Sequence, residues 1–375
     1  MILIAFLITI IYSVLIGCFI IGFDKIKSFN LENIKAKTKF TVIIPFRNEA
    51  DNLPALLQSI EAFEYPKPHF EIIFVDDASI DHSVKTINKW FADNSQADIQ
   101  IIKNERKTNS PKKDAITTAI NHSKNDWILT TDADCILPQY WLNSFNEYIQ
   151  KTNTICIAAP VTYNATNTFL SQFQLLDFLS LQGATIGGFG IKKPFLCNGA
   201  NFGYKKDAFH QLNGFEGNTN IASGDDIFLL EKVLKHDPKQ LHYLKSKHAI
   251  VTTKPQQSVK TLIAQRLRWA SKTSHYNNPF GKITGLIVLL MNAFIIAITI
   301  YSFLGFFNIK TLLYILCIKL NIDFLLIYKT ALFFNQKAVL KSYLFAMLIY
   351  PLFSVYIAFI STFKSYTWKD RSFKK

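Results

Sequence analysis

The sequence lacks the phosphate-binding loops that mark many nucleotide-binding proteins. It contains neither Gly-x-Gly-x-x-Gly nor Gly-Lys followed by Ser or Thr, so a dinucleotide site or a P-loop has no support. Cysteine is also scarce, and none of the five cysteines forms Cys-x-x-Cys. A disulfide framework or zinc site is therefore not expected, and the central region is predicted to lie in a reducing compartment. The five are Cys18, Cys135, Cys156, Cys197 and Cys317.

Acidic residues are the other shortage, with 27 Asp and Glu against 41 Lys and Arg and a net charge of +14. Such an excess of basic residues indicates a negatively charged partner, which could be nucleic acid, an anionic membrane face or a phosphorylated substrate. There is no zinc-finger spacing, RNP-like aromatic motif or dense basic arm. We therefore expect no nucleic-acid partner, and a membrane surface and a sugar nucleotide explain the charge better.

Long apolar runs lie at both ends of the chain, which is 49% hydrophobic. Residues 2–23 are long enough to cross a hydrocarbon core of about 30 Å. A cleaved signal peptide would have a basic start and a small-residue cleavage site, and neither is present. We therefore predict a signal anchor at 1–23, followed by a linker at 24–39 whose lysines place it in the cytoplasm.

Residues 281–363 predict two or three further spans, near 283–306, 311–328 and 340–362. The middle segment contains Lys319 and Asp323, and we expect an interfacial or re-entrant helix there. The basic tail at 364–375 favours the cytoplasm, whereas three full spans would put it outside. The side of the tail stays open, but a multi-pass protein of the cell membrane with a cytoplasmic catalytic domain is expected.

The region 40–257 predicts a doubly wound, mostly parallel α/β domain, because buried strands alternate with helices. Polar clusters follow the strands, where open α/β sheets bind ligands. Residues 155–161 predict one more strand, 165–190 are mixed with apolar residues on a helical period, and 198–204 predict a strand and turn. The earlier strands are expected at 40–44, 71–75, 99–103 and 127–131, and the helices at 51–60, 82–92 and 112–121.

The last of these strands leads into Asp132 and Asp134. In an extended backbone both side chains point to the same side. Two oxygen donors on one side suit Mg²⁺ or Mn²⁺, which complete their shells with water and a diphosphate. The alternative is a strand followed by an acidic turn.

Two later stretches add polar groups. Asp225 and Asp226 begin a predicted helix, where simple capping is the alternative. Residues 258–280 predict an amphipathic helix at the membrane interface, whose Gln265, Arg268 and Trp269 share one face. A guanidinium grips a diphosphate and an indole stacks on a sugar. The alternative is a basic helix on anionic lipid.

Taken in order, these motifs over about residues 40–275 resemble the family 2 glycosyltransferases. The similarity is to the membrane-bound branch with Asp, Asp-x-Asp, Glu/Asp-Asp and Gln-x-x-Arg-Trp motifs, which includes polysaccharide synthases and ceramide glucosyltransferases. The resemblance implies the GT-A fold, a nucleotide-sugar donor and a lipid or glycan acceptor. A membrane-anchored nucleotide-sugar-binding scaffold without activity is the alternative, and a transporter is a third.

The resemblance also implies residue roles. The nucleotide would contact Pro45, Arg47, Asn48, Glu49, Asp76, Asp77, Lys112 and Asp132. The metal would bind to Asp134 and Asp132, and Asp226 would be the catalytic base beside Asp225. The diphosphate, donor sugar and acceptor would contact Gly199, Asn201, Gln265, Arg268 and Trp269. Pro111, Thr117 and Asp225 depart from the family's Gly, Asn and Glu.

Overall fold

The computed structural model describes residues 2–93, 98–272, 275–364, 366–368 and 371–373. Lys369, Lys374 and Lys375 of the predicted tail lie outside these residues. The helices are α1 (Ile2–Lys25), α2 (Leu53–Glu61), α3 (Ser83–Asp93), α4 (Pro111–His122), α5 (Trp141–Lys151), α6 (Phe169–Gly190), α7 (Lys206–Gln211), α8 (Asp225–His236), α9 (Val259–Ser271), α10 (Pro279–Phe303), α11 (Ile309–Phe333) and α12 (Tyr343–Phe363). The strands are β1 (Phe40–Phe46), β2 (Phe70–Asp76), β3 (Asp98–Lys103), β4 (Trp127–Thr130), β5 (Cys156–Ala158), β6 (Val161–Tyr163), β7 (Phe202–Lys205), β8 (Leu241–Tyr243), β9 (Val251–Thr253), β10 (Tyr366–Trp368) and β11 (Arg371–Phe373).

The chain forms two compact units, each described by itself. The sheet unit comprises Lys27–Asn164 and Cys197–Lys254, and the helical unit comprises Met1–Ile26, Ala165–Leu196 and Pro255–Lys375. This division differs from the predicted continuous domain at 40–257, because Ala165–Leu196 packs with the apolar helices of the helical unit.

The sheet unit contains a mostly parallel sheet, as predicted. Among the described residues it has seven strands in the order β3-β2-β1-β4-β7-β5-β8. The strands from β3 to β4 are parallel neighbours, and so are β5 and β8, while β7 is antiparallel to β4 and β5. Ile43, Ile72 and Leu129 are completely buried, as expected for central strands covered on both faces.

One predicted strand was wrong. Residues 155–161 form two short strands, β5 and β6, and β6 pairs with β9 in a separate sheet. Pro160 lies between them. Because proline has no N–H to donate to a ladder, a continuous central strand is interrupted there.

The helical unit contains helices that are long and apolar enough to cross a membrane. The described residues include four: Leu3–Lys25, Pro279–Phe303, Ile309–Phe333 and Lys337–Phe363. The third is longer than the predicted 311–328, and Lys319 and Asp323 are both buried in the protein, so they do not mark a surface of this helix that faces the membrane interface. That the helix crosses the membrane stays a prediction. Lys319 Nζ lies 2.7 Å from Asp323 Oδ2, and the Tyr12 hydroxyl donates to Asp323 Oδ1 at 2.6 Å. The charges are tolerated in an apolar bundle because they are paired.

Helix α6 belongs to this unit through close packing on α1. A Cβ built on Gly187 would lie 2.5 Å from the carbonyl oxygen of Phe19, and one on Gly190 would lie 1.8 Å from that of Gly22. Only glycine allows such close approach, which is the usual way for apolar helices to pack tightly.

Candidate active site

The two acids of the Asp225-Asp226 motif lie in the first turn of α8 and are nearly buried. The helix follows Gly224, whose φ of 88° is readily adopted only by glycine. Asp226 Oδ1 accepts the N–H of Ile227 at 2.8 Å, and Oδ2 accepts the N–H of Gly199 at 3.0 Å. The carboxylate therefore does more than cap its own helix, because it also contacts a loop that precedes it by 27 residues.

Lys112 joins the Asp-x-Asp motif to this pair. Its Nζ lies 2.7 Å from Asp132 Oδ1 and 3.3 Å from Asp225 Oδ2. Burial alone would lower the pKa of Lys112, but the charges of Asp132 and Asp225 outweigh it and raise the pKa above the ordinary lysine value. The ammonium therefore stays charged. Pro111, which replaces the family's glycine, is at the first position of α4, where proline is well tolerated.

Gly199 makes this arrangement sterically feasible. A Cβ at this position would lie 2.8 Å from Asp225 Oδ2 and 3.3 Å from Lys112 Nζ. The Thr130 hydroxyl, at the end of β4, donates to the Gly199 carbonyl at 2.9 Å. The absence of a side chain at Gly199 lets the lysine and the acids converge on the backbone.

The Asp-x-Asp segment is not extended, so the geometric basis of that prediction was wrong. Strand β4 ends at Thr130, and Cys135 N–H donates to the carbonyl of Asp132 across a turn at 3.2 Å. Both carboxylates still influence the buried Cys135 thiol. Burial first, and then the charges of Asp134 and Asp132, raise its pKa.

The donor set is compatible with a divalent ion shared with substrate. The Asp132 side chain is 39% exposed, and among the described residues no group of three or more His, Cys, Asp or Glu could hold a metal by itself. Mg²⁺ typically uses one or two carboxylates and takes its other ligands from water and substrate phosphates. Asp132 and Asp134 are suitable ligands of that kind.

The predicted nucleotide-binding residues join two loops at the carboxyl ends of β1 and β2. Arg47 Nη1 donates to the carbonyls of Asp77 and Ala78 at 2.8 and 2.6 Å. Asn48 Oδ1 accepts the N–H of Ile80 at 2.9 Å. Pro45 lies within β1. Glu49 Oε2 accepts a hydrogen bond from the side-chain amide of Asn52 at 2.6 Å, and Asp76 Oδ1 accepts the N–H of Ser79 at 2.8 Å.

Two partners of Asp77 were not predicted from the sequence. Its Oδ1 accepts hydrogen bonds from Arg106 Nε at 2.6 Å and Asn104 Nδ2 at 2.7 Å. Both follow β3, so the polar cluster after a strand was the signal that could have identified them.

The Asn201 side chain connects neighbouring segments of the fold. It is completely buried, and its amide donates to the carbonyls of Pro160 and Ala249 at 2.8 and 2.7 Å. Its Oδ1 accepts the indole N–H of Trp141 at 2.9 Å. The side chain that was expected near the donor sugar is occupied in holding the Gly199 loop.

In the helical unit, α9 carries the predicted Gln265, Arg268 and Trp269 as expected for one helix. The intervening Arg266, which was not among the predicted site residues, is buried. Its guanidinium lies 2.7 Å from Asp177 Oδ2 on α6, donates to Gln265 Oε1 at 2.6 Å and stacks 4.2 Å above the Trp269 ring. Arg266 thus holds two of the motif's side chains in place, whereas their contact with a diphosphate stays a prediction.

Replacing Arg266 by leucine is expected to destabilise the helical unit strongly, because Asp177 would keep a buried charge without its cation. Breaking a buried ion pair from one side typically costs about 3–5 kcal/mol, whereas replacing both partners by apolar residues costs much less. Thermal unfolding in detergent of Arg266→Leu, Asp177→Leu and the double variant measures this. A double variant less stable than both single variants would contradict it.

Comparisons with known proteins identify the family. The model described as Glycosyl transferase family 2 matches residues 41–212, and the model described as Glycosyl transferase family group 2 matches residues 127–366. The second covers more than half of the chain. The chain belongs to the family 2 glycosyltransferases.

Individual relatives match only in part. Glycosyltransferase AglE of Haloferax volcanii is 25% identical over 187 residues, 50% of this chain and 58% of that protein. An undecaprenyl-phosphate 4-deoxy-4-formamido-L-arabinose transferase of Proteus mirabilis is 34% identical over 97 residues, 26% of this chain and 29% of that protein. The chain therefore spans less than two thirds of either relative.

Among solved structures, a mannosyltransferase from Pyrobaculum calidifontis, in complex with GDP-Man and Mn²⁺, superposes with a TM-score of 0.55. The match covers 91% of this chain and 97% of that one at 16% identity. At that identity the likeness supports the GT-A fold alone.

Proposed function

We propose that this protein is an inverting glycosyltransferase. It transfers a sugar from a nucleotide-diphosphate sugar, with a UDP-sugar as the expected donor, to a lipid, lipid-linked or growing glycan acceptor at the cytoplasmic membrane face. The observation that carries the proposal is the convergence of Lys112, Asp225 and Asp226 on the backbone of Gly199, with Asp132 paired to Lys112.

The chemistry needs a general base and a means of stabilising the leaving group. The acceptor hydroxyl loses a proton as it attacks the anomeric carbon, and a single carboxylate, Asp226, is enough to take it. One displacement inverts the anomeric centre, so the second carboxylate that retaining hydrolases use as a nucleophile is not needed.

Negative charge builds up on the departing nucleotide diphosphate. The Lys112 ammonium is fixed beside Asp132, and a cation at that place favours charge on the diphosphate. Mg²⁺ or Mn²⁺ bound by Asp134 and Asp132 would supply further charge stabilisation. In this proposal Arg268 also contacts the diphosphate, while Trp269 stacks on the sugar. Asp225 keeps Lys112 in place, a role for which the shorter carboxylate suffices.

Two observations support the acceptor and the location. The four apolar helices are long enough to hold the protein in a membrane. A relative with 34% identity over a quarter of the chain bears a name that specifies undecaprenyl phosphate, a lipid phosphate. From the number of spans, we expect transfer of one or a few sugars rather than synthesis of a long polymer.

The test is release of nucleotide from a panel of UDP-, GDP- and dTDP-sugars by detergent-solubilised protein with Mn²⁺ or Mg²⁺. We expect metal-dependent release from one donor class, reduced at least tenfold in Asp134→Ala because the variant loses a metal ligand. Asp98→Ala is the matched control, since the Asp98 carboxylate forms an exposed pair with Lys124.

Candidate acceptors, including polyprenyl phosphates, are added to the same panel, because a missing acceptor can silence a transferase. Binding of a nucleotide diphosphate with Mn²⁺ but no release or transfer under any condition would favour the scaffold alternative. If the protein shows no nucleotide binding and no nucleotide release under any condition, the proposal is contradicted.

A further inference from the structure

Lys113 is a buried charge that the proposed mechanism does not use. Its side chain is 1% exposed, and its Nζ donates to the carbonyls of Asn218 and Ile221 at 2.7 and 2.9 Å. The ammonium also lies 4.7 Å from the centre of the Phe228 ring. Burying an ammonium is costly unless its donors are satisfied, so these contacts define one fixed position.

Those contacts lie immediately before and within the first turns of α8. Asn218 and Ile221 belong to the loop 212–224, which leads from α7 into Asp225 and Asp226, and Phe228 is in α8 itself. Lys113 is therefore tied both to the loop and to the helix that carries the proposed base.

The first turn of α4 carries two lysines with different partners. Lys112 faces the carboxylates of Asp132 and Asp225, while Lys113 takes backbone carbonyls of the loop. One helix start is thus attached to the Asp-x-Asp motif and to both sides of the Gly224 turn. A shift of the loop away from α4 would move Asp226 relative to Lys112.

We propose that Lys113 is a positioning residue, which sets the distance between the proposed base Asp226 and the donor-binding groups Lys112 and Asp132. The proposal rests on the proposed function. Under this proposal, Lys113 affects the rate of turnover rather than the affinity for the donor, although the lysine is buried away from the reacting atoms.

The loop provides a matched control. Lys232, on α8, donates to the carbonyls of Leu212, Asn213 and Gly214 at 3.0, 3.3 and 2.8 Å. These three bonds hold the other end of the same loop, and none of them reaches α4. Lys232→Met therefore removes a comparable set of lysine–carbonyl bonds but leaves the attachment of the loop to α4 in place.

The experiment compares Lys113→Met, Lys113→Gln and Lys232→Met with wild type. It measures melting temperature, affinity for UDP with Mn²⁺ (or for GDP or dTDP if the donor panel selects it), and kcat for nucleotide release. We expect kcat of Lys113→Met to fall 30- to 100-fold while nucleotide affinity stays within threefold. Lys232→Met should keep kcat within threefold although its melting temperature falls.

Equal losses of kcat in Lys113→Met and Lys232→Met would overturn the proposal, since loop stability alone would then explain both. A loss of nucleotide affinity as large as the loss of kcat would also overturn it. If Lys113→Met does not fold, Lys113→Gln decides, and kcat within threefold of wild type overturns the proposal. Failure of wild type to bind or release any nucleotide would instead reject the proposed function.

Discussion

Asp226→Asn is expected to reduce sugar transfer about a thousandfold without unfolding the protein, because general-base catalysis contributes typically 10²–10⁴-fold. The amide oxygen of asparagine can still accept either backbone N–H that Asp226 binds, from Gly199 or Ile227, but it cannot take a proton from the acceptor. The measurements are transfer rate, melting temperature and affinity for the nucleotide diphosphate with Mn²⁺. The last two should change little.

The control for this variant is Asp237→Asn, at the opposite end of α8. Asp237 accepts the N–H of Lys239 and caps a short turn, so its replacement should leave transfer within twofold. Retention of more than a tenth of the transfer rate in Asp226→Asn, with the fold intact, would remove Asp226 from the role of base.

Gly199→Ala is expected to have the second largest effect, a loss of transfer of about a hundredfold or more, because the added methyl group would occupy the centre of the site. Its Cβ would lie 2.8 Å from Asp225 Oδ2 and 3.5 Å from the Cβ of Asp226. The first distance requires a displacement, and the backbone N–H that orients Asp226 would move with it. Unlike Asp226→Asn, this variant should also bind nucleotide more weakly, because Lys112 is within 3.3 Å of the same Cβ.

Transfer rate and nucleotide affinity, measured side by side, check this expectation. Gly285→Ala is a suitable control, since a Cβ at this helical position of α10 would meet nothing within 4 Å. Wild-type transfer by Gly199→Ala would show that the site tolerates a side chain there, and the convergence of groups on Gly199 would lose its proposed significance.

Features that depend on neighbouring residues could be predicted from the sequence. The apolar strands and the polar clusters after them predicted that Asp76, Asp77 and Asp132 lie at the carboxyl ends of strands, because the direction of a strand fixes the edge of the sheet where the following residues emerge. The long apolar helices were predictable for the same reason, since length and composition decide them.

Contacts between distant segments could not be predicted. Lys112 was assigned a role from its motif, but the partners of the adjacent Lys113 depend on the packing of α4 against loop 212–224. The Arg266–Asp177 pair joins positions 89 residues apart. Asn201 was assigned to ligand contact from its motif, but its burial against Trp141 depends on the folded chain.

The assignment of residues 165–190 was incomplete because their composition is ambiguous. Apolar residues with a helical period indicate a buried helix, but not which core buries it. The glycines of α6 were visible in the sequence, whereas the partner that they approach, α1, is remote in the chain. The packing role of a small residue on a helix can be assigned only when the helix that packs against it is known.

Because α6 belongs to the helical unit although it lies within the sequence of the sheet unit, it limits how the protein can be truncated and affects the order in which the units are synthesised. The chain passes from one unit to the other at four places, after Ile26, Asn164, Leu196 and Lys254. A fragment trimmed only at its ends, from Lys27 to Lys254, would still contain the 22 residues of α6 without the helices that cover them. A water-soluble fragment would therefore need a polar linker in place of residues 165–196. During synthesis, the sheet unit is complete only after α1 and α6 have already left the ribosome.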